Sequence, residues 1–98
     1  MYNWRVDFVW DPEKERSNIQ KHGVSFSEAA SVFYDPLAKI ASDPDHSTNE
    51  DRFIMIGQSN RRRLIFVVHV YREAGSKIRI VSARRATKRE IKDFQETR

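Results

Sequence analysis

The chain has no cysteine, so neither a disulfide nor a thiolate-held metal is available to it. Glycine and proline are scarce, at three each in 98 residues, which excludes a glycine-rich nucleotide loop and leaves no candidate linker. The three histidines sit in three separate segments with no His-Glu-x-x-His helix, so no zinc site is expected, and no cofactor. Long apolar runs are missing too. The longest, Leu64 to Val68, is far below the ~20 residues of a membrane span, and Met1 to Trp10 carries Asn3, Arg5 and Asp7 where a signal peptide needs an apolar stretch. A protein of a reducing cytoplasm is the expectation.

What is present is charge. One third of the residues are charged against 39% hydrophobic, a globular balance, and the length suits one domain spanning 1–98. The net charge of +4 is unevenly spread: residues 1–50 hold five Lys and Arg against nine Asp and Glu, residues 51–98 thirteen against five. Such a division fits a basic face for a polyanion, or a merely solvated surface.

Tyr2 to Trp10 alternates, with Trp4, Val6, Phe8 and Trp10 on one side, as a half-buried strand does. Asp11-Pro12-Glu13 supplies an N-cap, a first-turn proline and an acid, and Gly23 after His22 a left-handed C-cap. Ser25 with Glu28 reads as a capping box for a short second helix with Phe26, Ala29, Ala30 and Phe33 inward, ended by Asp35-Pro36. Leu37–Ala41 is a short strand, Ser42–Glu50 a polar loop, Phe53–Gly57 a third strand and Gln58–Arg62 a turn. Arg63–Tyr71 is a fourth strand whose unbroken apolar centre predicts burial on both faces. Glu73–Ser76 turns into a fifth, Lys77–Ala83, and Thr87 with Glu90 caps a last helix with Ile91 and Phe94 inward. The order gives an α+β domain: a largely antiparallel sheet of about five strands, two N-terminal helices and one C-terminal helix.

The junction of the last strand and helix stands out. Arg84, Arg85, Lys88 and Arg89 gather at a helix N-terminus, where exposed cations typically lose ~0.3–1 kcal/mol each. An arginine pair beside free N–H donors suits a phosphate group.

Phe8-Val9-Trp10-Asp11-Pro12, Asn18 with Lys21-His22-Gly23-Val24-Ser25-Phe26, Ala29 with Val32-Phe33, and the stretch from His46 to Phe53 point the same way. So do Ile56-Gly57-Gln58-Ser59, Arg63-Leu64 and Ile78-Arg79-Ile80-Val81-Ser82-Ala83-Arg84-Arg85-Ala86-Thr87. In unbroken order these strings resemble the BrnT family, ribonuclease toxins of bacterial type II toxin–antitoxin systems. The resemblance implies a RelE-like fold, RNA cleavage without a metal, inhibition of translation and growth, and neutralisation by a BrnA-like antitoxin. It also implies a heterotetramer of two toxins and two antitoxins, with DNA reached only through the antitoxin. By analogy the functional arginines fall on Arg63, Arg84 and Arg85. Gln58 departs from the pattern, standing where some relatives have a carboxylate.

Metal-free cleavage needs a proton acceptor and a stabiliser for the doubly charged phosphorane, and guanidinium groups suit the second need. If the fourth and fifth strands form a hairpin, Arg63 approaches Arg84. Arg84 and Arg85 point to opposite faces unless the turn into the helix brings them round. His46 beside Glu50 is a candidate general base, Lys21 another, and Glu50 with Arg52 either shapes the site or is a surface ion pair. Arg52, Arg61, Arg62, Lys88, Arg89 and Lys21 are candidate RNA contacts. His69 reads as a core histidine, and His22 as a structural residue beside the C-cap. The competing reading is a noncatalytic module that holds RNA or a partner protein with the same basic face.

Overall fold

The computed structural model describes residues 6–43 and 52–96. Five strands, β1 (Asp7–Val9), β2 (Lys39–Ser42), β3 (Arg52–Gln58), β4 (Leu64–Arg72) and β5 (Lys77–Arg85), form one sheet in the order β1-β5-β4-β3-β2. All pairs are antiparallel except β1 with β5. Helices α1 (Pro12–His22) and α2 (Phe26–Ser31), with a 3-10 turn at Val32–Tyr34, lie on one face. Helix α3 (Lys88–Glu96) follows β5, and its Phe94 lines a cavity with Lys39 and Ile56 on the other face.

Local chemistry accounts for the helix ends. Asp11 caps α1 by accepting from the Glu13 N–H at 2.9 Å, and Gly23 ends it at φ 68°, where a side chain would be strained. Thr87 and Glu90 complete a reciprocal capping box at α3, at 3.1 and 2.8 Å. At α2 only half of the expected box forms. Ser25 accepts from the Glu28 N–H, but the Glu28 carboxylate turns away to a residue 35 positions on.

The core lies between the sheet and α1–α2: Val24, Phe26, Ala29, Val32, Ile65, Val67 and Ile80 are fully buried. Asn18 ties α1 to this layer from a buried position. Its amide donates to the Val24 and Ala83 carbonyls (2.9 and 2.8 Å) and accepts from the Ala83 N–H (3.0 Å). Gly57 has no room for a side chain, because a Cβ would lie 2.8 Å from that of Ala38. The expected burial of β4 on both faces holds only at His69 and Val70; Ile65 and Val67 are sealed under the helices, while Leu64, Phe66 and Val68 on the other face are half-buried. Of the strand expected over Tyr2–Trp10, Asp7–Val9 is strand, and residues 1–5 lie outside the described residues. The fifth strand runs two residues further than expected, through Arg85.

One irregularity sets which side chains share a face. Val68 pairs with Ser82 but His69 pairs with Ile80, so Val81 is an extra residue in β5. Beyond this bulge the alternation of β5 shifts by one. Arg79, Ser82 and Arg84 therefore lie on the α3 face, and Ile78, Ile80, Ala83 and Arg85 on the α1–α2 face.

His69 is fully buried between Phe33 (ring centroids 4.8 Å apart) and Tyr71 (5.1 Å), with Nε2 3.3 Å from the Tyr71 hydroxyl. Burial pushes its pKa from 6.5 down to about 4, the Val67 carbonyl opposing the shift only weakly. The unfolded chain takes up this proton near pH 6.5 while the folded chain refuses it, so stability falls as pH drops through that window. Between pH 7 and 5 the expected loss is about 2 kcal/mol. Urea midpoints at the two pH values check it, and His69→Phe should flatten the difference.

Candidate nucleic-acid interface

The end of β5, the start of β4, the last turn of α1 and the first turn of α3 meet at one end of the molecule. Pairing of β4 with β5 puts Ile65 opposite Arg85 and Phe66 opposite Arg84, and the Ala86 N–H donates to the Leu64 carbonyl at 2.9 Å. The Gly23 carbonyl at the end of α1 accepts from Arg63 Nη2 at 3.1 Å, which ties that turn to the same edge. Lys21, His22, Arg61, Arg62, Arg85, Lys88 and Arg89 are all exposed there.

The three arginines expected to converge do not. The hairpin forms as anticipated, but Arg63 is turned toward α2 and locked by Glu28. Its Nε donates to Oε2 at 2.9 Å and its Nη2 to Oε1. Glu28 is 3% exposed and also accepts from the Ser59 hydroxyl at 2.7 Å. Arg63 holds the Glu28 carboxyl below its ordinary range, and Glu28 raises Arg63 in turn. Three of the five guanidinium donors are thus committed within the fold, leaving only those on Nη1.

Arg84 faces the opposite side of the sheet. Its guanidinium lies 4.1 Å from the Phe66 ring centroid and grips Glu90 with two bonds of 2.8 Å each. The Arg84 guanidinium holds the Glu90 carboxyl below its ordinary range. Glu90 does two things at once, capping α3 and holding Arg84 flat over Phe66.

Because the strand stays extended through Arg85, that residue shares the face of Arg63 and not of Arg84. Its side chain makes no hydrogen bond or ion pair among the described residues. This exposed guanidinium, flanked by six further exposed cationic or imidazole side chains at the same end, is free to take a phosphate. Arg52 is not part of this end. It opens β3 at the far side, opposite Val70 in the register. His46 and Glu50 lie outside the described residues. No cluster of three metal-ligating side chains occurs among the described residues.

Sequence reading missed two members of this arrangement. Glu28 carried a capping-box signal that hid its partner, and the Glu90–Arg84 pairing, six residues apart across a turn, had no helical spacing to announce it.

The chain is thus an α+β sheet domain with a cationic end built on a strand-to-helix junction. The family model described as ribonuclease toxin, BrnT, of type II toxin–antitoxin systems matches residues 10–90, and the chain belongs to that family. The fold is similar to the crystal structure of the Brucella abortus ribonuclease toxin, BrnT, at TM-score 0.65 and 26% identity, over 85% of this chain and 99% of the other. No protein of curated function matches the chain in sequence. No helix among the described residues is long and apolar enough to cross a membrane.

Proposed function

We propose that this chain is an endoribonuclease that cuts RNA in the cytoplasm without a metal ion, inhibiting translation and growth until an antitoxin of the BrnA type covers its basic end. In that complex two toxins would join two antitoxins. The reaction is attack of a 2′-hydroxyl on the adjacent phosphorus, with loss of the 5′-oxygen. The observation that carries the reading is Arg85, a guanidinium with no partner among the described residues, at a strand end ringed by exposed cations. It binds the scissile phosphate and stabilises the charge that grows on its oxygens. Arg84, paired with Glu90 and laid against Phe66, braces the strand end from its other side, and Lys21, Arg61, Arg62, Lys88 and Arg89 hold the flanking backbone. Arg63 serves the fold. For the proton transfer the candidate among the described residues is His22, exposed in the last turn of α1 beside Gly23.

Purified protein should cut a structured RNA in excess EDTA and leave 2′,3′-cyclic phosphate and 5′-hydroxyl ends. Intact RNA under those conditions would remove the proposal. Gln58, an amide that cannot accept a proton at neutral pH, favours a second reading in which the same end binds RNA without cutting it. Binding with no cleavage at any pH would establish that reading instead.

A further inference from the structure

Four arginines in the described chain are half-buried: Arg52, Arg63, Arg79 and Arg84. Arg63 and Arg84 are each neutralised by a carboxylate, and Arg52 has a partner of its own. Arg79 has neither a hydrogen bond nor an ion pair among the described residues. A half-buried guanidinium left unpaired costs free energy that a ligand would recover. The β5 bulge places Arg79 on the same sheet face as Arg84 although five positions separate them, an odd number that regular alternation would put on opposite faces.

Arg79 lines an open cavity of about 280 Å³ together with Val9, Trp10 and Asp11, beside the parallel pairing of Val9 with Arg79. Asp11 lines the same space without forming an ion pair with Arg79. Its Oδ1 is occupied by the α1 cap, and its Oδ2 accepts from nothing among the described residues. The indole N–H of Trp10 also donates to nothing among the described residues. The cavity is thus bounded by Arg79, whose donors are unused among the described residues, and by Asp11, which has a carboxylate oxygen to spare.

That combination discriminates between ligands. Asp11 repels a bare phosphate, and Arg79 repels a small cation. A planar base with acceptors on one edge and donors on another satisfies both. Guanine has this pattern, with O6 and N7 for a bidentate arginine and N1–H and N2–H for a carboxylate. Adenine offers N7 to the arginine but sets its N1 acceptor against the carboxylate, and uracil has no two adjacent acceptors. Cytosine has N3 and O2 side by side but only its N4 amine for the carboxylate, one donor group against the two of guanine. The volume lies just below the range of small-molecule sites and suits one base better than a longer segment.

We propose that the cavity bounded by Val9, Trp10, Asp11 and Arg79 takes a guanine base of the RNA substrate and so fixes where the strand is cut relative to that base. The proposal rests on RNA being the substrate. Arg85, the proposed phosphate ligand, lies six positions along β5 from Arg79 and on the opposite face of the sheet, a span of roughly 20 Å. The RNA would therefore pass over the sheet end, and the recognised base would lie several nucleotides from the cut.

The test titrates the full chain with GMP, AMP, CMP and UMP by calorimetry and maps cleavage on an RNA of randomised sequence. Wild type should bind GMP roughly fivefold or more tighter than the other three nucleotides, and its cuts should show guanine enriched at one fixed position. Arg79→Lys keeps the charge but loses the planar fork, and Asp11→Asn keeps the helix cap but removes the carboxylate. Each should bring the four affinities within about twofold and erase the enrichment. Equal affinities in wild type, or a guanine preference that survives both substitutions, overturns the proposal. Guanine-selective binding by a protein that cuts no RNA would leave the pocket standing and remove the ribonuclease reading.

Discussion

Arg85→Ala should leave RNA bound but uncut. The side chain is exposed and makes no hydrogen bond or ion pair among the described residues, so its removal costs the fold little. Its loss removes the donor fork aimed at the charge developing on the phosphorane, a contribution worth about 10²–10³ in turnover when a single well-placed donor is deleted. Binding responds differently. If several cations at this end share the RNA backbone, as proposed, one lost phosphate contact lowers the salt slope of log K by only about 0.7. Single-turnover cleavage should therefore fall at least about a hundredfold while affinity at moderate salt changes several-fold. Filter binding and gel-based cleavage on one protein preparation check both. A parallel fall in the two quantities would make Arg85 an ordinary backbone contact.

Glu28→Ala should unfold much of the protein at temperatures the wild type tolerates. Glu28 is 3% exposed and receives Arg63 through two guanidinium nitrogens and the Ser59 hydroxyl through one bond. Truncating it leaves a guanidinium at 20% exposure with no counter-charge and a buried hydroxyl without its acceptor. Breaking a buried pair in this way costs about 3–5 kcal/mol. For a chain of this length each kcal/mol lowers Tm by about 4–8 °C, so calorimetry should record a fall well beyond 10 °C. Replacing both partners by apolar residues of similar volume, as in Glu28→Leu with Arg63→Met, should restore much of the loss. A Glu28→Ala protein as stable as wild type would mean that Arg63 is not held for the sake of the fold.

Local signals in the sequence are legible. Asp11-Pro12, Gly23 and Thr87 with Glu90 mark helix ends by chemistry that acts within four residues, and each end falls where those residues place it. The β4–β5 hairpin is readable too, because the Glu73–Ser76 turn joins two β-rich runs. What escapes depends on contacts remote in the chain. The bulge at Val81 lies in the run Ile78–Val81, which is apolar enough at most positions to hide a one-residue shift. That shift decides which arginines share a face. The same holds for Arg63, where the hairpin brings it near Arg84 in register but a carboxylate 35 positions away turns it to the other side of the sheet. Adjacency of backbones is legible, and direction of side chains is not. The parallel pairing of β1 with β5, which forms the Trp10–Arg79 cavity, joins segments about 70 positions apart and leaves no mark in the strand patterns.

On the proposed reading the arginines divide by role, with Arg85 for the reacting phosphate, Arg84 bracing the strand end through Glu90, Arg63 for the fold, and Arg79 for a base. Cleavage per folded molecule, measured in EDTA for Arg85→Ala and Arg63→Ala side by side with the folded fraction read from circular dichroism, tests this division most directly. The expected result is that Arg63→Ala loses stability yet keeps its rate within about threefold once corrected for unfolded chain, while Arg85→Ala stays folded and loses at least about a hundredfold. A folded Arg63→Ala protein that cuts nothing, beside an Arg85→Ala protein that cuts at the wild-type rate, would contradict it.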